Sequence, residues 1–180
     1  EENYYISMGE GAELLADELS ISREDQEEFT FRSHERAVEA KDSGKFDNEI
    51  VPIILEDGSV LDKDSGPRNP DKEKIKSLKP AFKADGTITA ATSSPFSIGA
   101  SAMLITSENY AKKNGLKIRA YIEGRAVAGV NWTMFGSGPI PATAKALKNT
   151  GLSMDDIDVV EINEAFAAQA LYCIRKADWD

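Results

Sequence analysis

An asparagine at the end of an apolar run, two carboxylates beside it, one histidine, one cysteine and a cluster of lysines are the side chains that could do chemistry in this chain. In Val159-Val160-Glu161-Ile162-Asn163-Glu164-Ala165-Phe166 the pattern predicts an inner strand over 156–162, followed by an apolar helix over 164–175. Open α/β sheets hold ligands at the carboxyl ends of their strands, so Asn163 lies where a ligand would be expected. It could equally cap the helix, its oxygen accepting an orphan N–H. Glu161 and Glu164 could serve acid–base chemistry. A strand-end carboxylate and a first-turn carboxylate favoured by the helix dipole account for them without it.

The other candidates carry less. Cys173 lies in an apolar helical run and reads as a buried, inert thiol. His34 sits between Arg32, Ser33, Glu35 and Arg36 and reads as a structural or surface histidine. One histidine and one cysteine in such different contexts make a poor catalytic pair, and they exclude zinc sites of the usual spacing. No metal ligands are assigned. Between Arg68 and Lys83 stand six basic residues and two acidic ones, a basic island in a chain of net charge -10. The island is either a solvated surface or a seat for a small phosphorylated ligand.

Two sets of elements must position these groups. Toward the N-terminus a helix over 12–19 precedes a longer one that starts at the Ser22-Arg23-Glu24-Asp25 cap and runs to about Lys41. An edge strand over 49–55 follows, and 56–69 reads as a loop. Beyond Asp85 the character changes to alternating strands and helices, the pattern of an α/β sheet with covering helices. Strands are expected over 87–91 and 118–127, and a buried strand or helix over 100–106. Helices are expected over 107–114 and 142–150, the second entered through Pro141 and stopped at Gly151.

The 163–166 stretch, Asn-Glu-Ala-Phe, resembles the motif that marks thiolases, and six further stretches match that family in the same order. They are Ser7-Met8-Gly9 with Ala12-Glu13; Ile21 to Gln26 with Arg32-Ser33-His34; Leu78 to Phe82; Gly86 to Ala90; Ser94 with Gly99-Ala100; and Gly136 to Ala142. The resemblance implies an α/β thiolase-like fold with a mixed helical loop domain. Residues 1–85 would be part of that loop domain, 86–115 the last part of the N-terminal domain and 116–180 the start of the C-terminal domain. It also implies reversible thiolytic cleavage of 3-ketoacyl-coenzyme A, or condensation of two acetyl-coenzyme A molecules. In the family a cysteine thiolate takes the acyl group, a histidine helps to activate it, and a second cysteine moves the alpha proton.

Carried over residue by residue, Asn163 matches the asparagine that holds a water in the oxyanion hole for the thioester enolate. Met8 and Phe135 match positions lining the acyl or pantetheine channel. Ala90 and Ser94 match the loop near pantetheine and adenine, Ala165 and Phe166 the wall beside the asparagine, and Arg68 a basic residue near the phosphates. Several positions depart from the family pattern. Gly11 stands where Thr is usual, Phe135 where Met is common, Thr92 where Asn is usual, and Ser97-Ile98 where Asn-Asp is usual. The family's nucleophile segment would precede Glu1, and its Gly-His-Pro and terminal cysteine segments would follow Asp180. The chain therefore reads as an internal piece, inactive by itself. A non-catalytic protein derived from a thiolase, binding coenzyme A thioesters or a protein partner, is the alternative.

The acidic balance argues against nucleic acid, and no apolar run approaches the ~20 residues that span a bilayer. The expected partners are coenzyme A and its thioesters, as substrates with no separate cofactor, and further copies of the chain in a dimer or tetramer. A lone cysteine and the absence of a leader pattern suggest the cytoplasm, or mitochondria or peroxisomes for a eukaryotic protein.

Overall fold

The computed structural model describes residues 5–179. Helix α1 spans Met8–Glu18 and begins at a capping box that the sequence reading missed. The Ser7 N–H donates to Glu10 Oε2 at 2.7 Å while Glu10 N–H donates to Ser7 Oγ at 3.2 Å, which starts the helix four residues earlier than expected. Helix α2, Arg23–Asp42, starts where predicted, with Ser22 Oγ accepting from Asp25 N–H at 3.0 Å. Helices α3 (Lys72–Ser77), α4 (Glu108–Lys113), α5 (Pro139–Thr150) and α6 (Ala167–Ala177) follow, with a 3-10 segment at Trp132–Ser137 before α5. The entry proline of α5 is Pro139 rather than Pro141, and the helix stops at Gly151 as expected.

Helix α1 is the hub. Its apolar stripe, Ala12, Leu15 and Ala16, packs with Ile21, Ile88 and the α6 residues Ala168, Tyr172 and Cys173, and Trp179 closes the cluster. The four-residue spacing of Ala12 and Ala16 leaves room for α6 to approach closely. Helix α2 is charged along most of its length and is tied to its neighbours by polar contacts. Arg175 pairs with Asp25 at 3.0 Å, and Arg23 donates to the carbonyls of Lys76 and Leu78 at 3.0 and 2.6 Å, which pins the end of α3. Lys72, in the basic island, pairs with Glu28 at 3.9 Å and lies 4.0 Å from the centre of the Phe31 ring; Lys83 pairs with Asp17 at 3.8 Å. Part of the island is thus engaged with its own acidic surroundings.

One buried carboxylate joins α1 to the site. Glu13, 3% exposed, accepts from Thr87 N–H, Thr87 Oγ1–H and Ile88 N–H, all at 3.0 Å. Gln26 Nε2 donates to the same Thr87 hydroxyl at 2.9 Å.

The predicted strands fare differently. Residues 49–55 contribute only β1, Ile53–Ile54, which pairs antiparallel with β2, Val60–Leu61, inside the stretch expected to be a loop. The 87–91 strand is reduced to a single antiparallel bridge between Thr89 and Pro80. Residues 100–106, 118–127 and 156–162 form no ladder, and Met103, Leu104, Tyr121, Ile122 and Val159 are exposed. Their apolar residues suit strands, but a strand is completed by neighbours, and the described residues supply none for these three segments. The helix expected over 164–175 begins at Ala167 instead. Among the described residues, no helix is long and apolar enough to cross a membrane.

Gly9, in the first turn of α1, carries a testable packing claim. A Cβ at this position would overlap the ring of Phe82, whose edge meets Phe166 at 5.7 Å between centroids and an interplanar angle of 83°. Alanine favours helices over glycine, so propensity alone predicts stabilisation by Gly9→Ala. We expect destabilisation by ~1–3 kcal/mol, the usual penalty of overpacking, read as a lower thermal midpoint in the full-length protein. A midpoint equal to or above wild type would refute the contact.

Candidate active site

Asn163 is not a helix cap. Three residues separate it from Ala167, and the cap position is held by Phe166 in extended conformation without a side-chain bond. The Asn163 side chain makes no hydrogen bond among the described residues and is exposed. Its turn is nevertheless fixed. Ala167 N–H donates to Thr92 O and Ser94 N–H to Ala165 O, both at 2.9 Å, and Ser93 bridges Phe166. On the outer side Ser33 Oγ donates to Glu164 Oε2 at 2.6 Å, tying the turn to α2.

The 89–94 segment that clamps the turn is held by its own hydroxyls. Thr92 Oγ1 accepts from Thr89 N–H at 2.9 Å and donates to Thr89 O at 3.3 Å, and Ser93 Oγ donates to the same carbonyl at 2.7 Å. Thr92, which stands where the family pattern has Asn, therefore keeps a structural hydrogen-bonding role, local to its own loop. Ile98 is exposed and offers no polar contact.

Two cavities meet at Ile162 and Asn163. One, about 390 Å³, is lined on one side by α2 through Ser33 and His34 and on the other by Ser94, Glu161 and Glu164. The second, about 250 Å³, is mainly apolar and is bounded by Met8, Leu15, Phe135, Ala165 and Phe166. Of the residues picked out in the sequence, Met8, Phe135, Ala165 and Phe166 therefore gather around Asn163 in the apolar cavity, and Ser94 joins it in the polar one. Ala90 and Arg68 line neither cavity and are exposed. Arg68 acts at a distance: burial and the nearby Arg68 guanidinium hold the His34 imidazole below its ordinary pKa, against the opposing pull of Glu164.

Sequence reasoning missed Ser33, His34, Leu15 and Gln169 as lining residues. A signal existed in α2, where Phe29, Thr30, Ser33, His34 and Ala37 form a stripe of small or uncharged residues at helical spacing in an otherwise charged helix. Cys173 is buried, as expected. Its thiol donates to Gly136 O at 3.4 Å, and burial pushes its pKa up. Among the described residues no group of acidic, histidine and cysteine side chains could hold a metal ion.

A free amide at the junction of a polar and an apolar cavity, behind a turn clamped on both sides, is the geometry of a site that orients a polar head on one side of a reacting centre and an apolar tail on the other. Comparison with known proteins gives the family. Residues 2–109 match the thiolase N-terminal domain and residues 116–180 the thiolase C-terminal domain, and the chain belongs to the thiolase family. It is 52% identical over 174 residues to the 3-ketoacyl-CoA thiolase of Vibrio parahaemolyticus and 47% identical over 174 residues to that of Shewanella loihica. Each alignment covers 93% of this chain, but only 44% and 45% of those proteins, so the chain spans less than half of the curated relatives it matches. The fold is thiolase-like: the crystal structure of Bacillus anthracis acetyl-CoA acetyltransferase superposes with a TM-score of 0.95 at 43% identity, over 98% of this chain and 46% of that one. Human mitochondrial 3-ketoacyl-CoA thiolase in complex with CoA superposes with a TM-score of 0.86 at 36% identity, over 96% and 44%.

Proposed function

We propose that this chain is the central portion of a thiolase-type acyltransferase that cleaves 3-ketoacyl-coenzyme A with free coenzyme A, or runs the condensation in reverse. The observation that carries the reading is the unengaged amide of Asn163 where the two cavities meet. Through a bound water that amide donates to the thioester oxygen as negative charge develops on it, and a donor fixed in advance needs no reorganisation when the charge appears. The polar cavity, with Ser94 and the α2 stripe, takes the pantetheine side, and the apolar cavity takes the acyl chain. Arg68 and the unpaired part of the basic island meet the phosphates. Support for the ligand class comes from the CoA bound to the human relative. Metal and separate cofactor have no part in the proposal.

The acyl-accepting thiolate lies outside these residues, because the single thiol of the 180 is buried Cys173. The longer protein also supplies the strands that pair with 100–106, 118–127 and 156–162, a reading supported by the coverage of the relatives. Within it we assign 1–85 to the loop domain, 86–115 to the end of the N-terminal domain and 116–180 to the start of the C-terminal domain. The bacterial relatives favour a cytoplasmic enzyme, and the thiolase resemblance favours assembly into a dimer or tetramer.

The test is thiolysis of acetoacetyl-coenzyme A. Full-length protein is expected to consume it in a manner dependent on free coenzyme A, while the 180-residue chain alone gives the blank rate. Full-length protein that binds coenzyme A tightly without turnover would favour a non-catalytic binder instead.

A further inference from the structure

Two departures from the family pattern turn out to touch. Gly11 lies about one turn into α1, where the family has Thr, and Phe135 lies in the 3-10 segment before α5, where Met is common. A Cβ at Gly11 would overlap ring carbons Cε1 and Cζ of Phe135. The ring therefore occupies the volume that any larger side chain at position 11 would fill. On its other side Phe135 borders the apolar cavity beside Asn163, whose wall on the α1 side is made by Met8, Ala12 and Leu15. Gly11 itself is covered by the ring.

We propose that Gly11 and Phe135 work as one specificity-determining unit: the bare backbone at Gly11 is a seat that draws the Phe135 ring back against α1, keeping the apolar cavity open for an extended aliphatic acyl chain. This rests on the acyltransferase reading above and deepens it by naming the substrate class, 3-ketoacyl thioesters with chains longer than acetoacetyl. Physically, a ring edge seated on a helix backbone must move when that seat is filled. A side chain added at position 11 displaces the half-buried ring, and the apolar cavity is the open volume it borders. The remaining walls are apolar apart from Asn163 and Gln169; Gln169 Nε2 donates to Cys173 Sγ at 3.5 Å, and its buried Oε1 has no partner among the described residues. An aliphatic chain therefore meets an apolar lining over most of the cavity.

The experiment measures thiolysis of acetoacetyl-coenzyme A and 3-ketodecanoyl-coenzyme A by full-length wild type, Gly11→Ala, Phe135→Leu and the double variant. Gly11→Ala is expected to lower kcat/KM for the longer substrate at least ~10-fold more than for the shorter one, chiefly through KM, the scale on which one methyl group discriminates in an apolar pocket. The double variant should recover the wild-type ratio, because a leucine in place of the Phe135 ring is small enough to vacate the seat. Phe135→Leu alone should raise the ratio of long to short. Equal loss on both substrates in Gly11→Ala, or no recovery in the double variant, overturns the proposal. If Gly11→Ala does not fold, an unchanged ratio in Phe135→Leu overturns it by itself. A wild type that cleaves neither substrate is a different failure, that of the acyltransferase reading.

Discussion

Asn163→Ala in the full-length protein should lower kcat for acetoacetyl-coenzyme A thiolysis at least ~100-fold, with the thermal midpoint unchanged. The two halves of this expectation come from the same observation. The side chain makes no hydrogen bond within the described residues and is exposed, so removing it breaks no structural contact. Had it capped α6, its loss would cost ~1 kcal/mol of stability and little rate. Helix α6 begins only at Ala167, and backbone bonds to Thr92 and Ser94 hold the turn, so the capping account has no geometry to stand on. Asn163→Asp sharpens the test: it keeps size and shape but replaces the donor by an acceptor bearing charge where an oxyanion would form. It should be at least as slow as alanine. An alanine variant retaining a rate close to wild type, or one whose rate loss is matched by lost stability, would remove Asn163 from the chemistry.

Helix starts and stops were legible because they are local. The Ser22 cap, the Ser107 cap and the Gly151 stop depend on side chains and backbone within a few residues, and each falls where the sequence places it. The Ser7–Glu10 box was equally legible and was overlooked because Gly9 and Gly11 weaken the helical signal over that turn; their value lies in the two phenylalanine rings they admit, which sequence spacing does not reveal. Strands were not legible in the same way. The runs around Met103, Ile122 and Val159 carry strand-like apolar residues, but a ladder belongs to two segments at once, and the described residues supply no partner for any of the three. For the site, resemblance collected Met8, Phe135, Ala165 and Phe166 around Asn163 because those residues are carried on contiguous motifs. Ala90 and Arg68 lie outside both cavities, and Ser33 and His34, passed over in the sequence, reach the polar cavity from a helix far away in sequence.

Stability and rate should fall together when Glu13 is changed, although its carboxylate lines neither cavity. Three donors converge on its two oxygens from half-buried Thr87 and buried Ile88, between α1 and the 87–94 segment. Glu13→Ala leaves the buried Ile88 N–H and the half-buried Thr87 N–H without this partner, at about 1–3 kcal/mol for a buried donor, so a loss of ~2 kcal/mol or more is expected in thermal or denaturant unfolding of the full-length protein. The effect then propagates along a short covalent path. Residues 87 and 88 lead directly into Thr89, whose carbonyl is held by Thr92 and Ser93, and Thr92 and Ser94 carry the two bonds that clamp the Asn163 turn. Loosening the first anchor should widen the conformations open to the last, lowering kcat in the folded population. Glu13→Gln separates geometry from charge. One amide oxygen can keep both backbone donors, and the Thr87 hydroxyl, which already accepts from Gln26, has a second lone pair for the new N–H, so the glutamine variant should retain most of the stability and activity. A Gln variant as damaged as the Ala variant would mean that the charge itself is required. An Ala variant with a wild-type midpoint and a wild-type rate would show that the 87–94 segment is held by something other than Glu13.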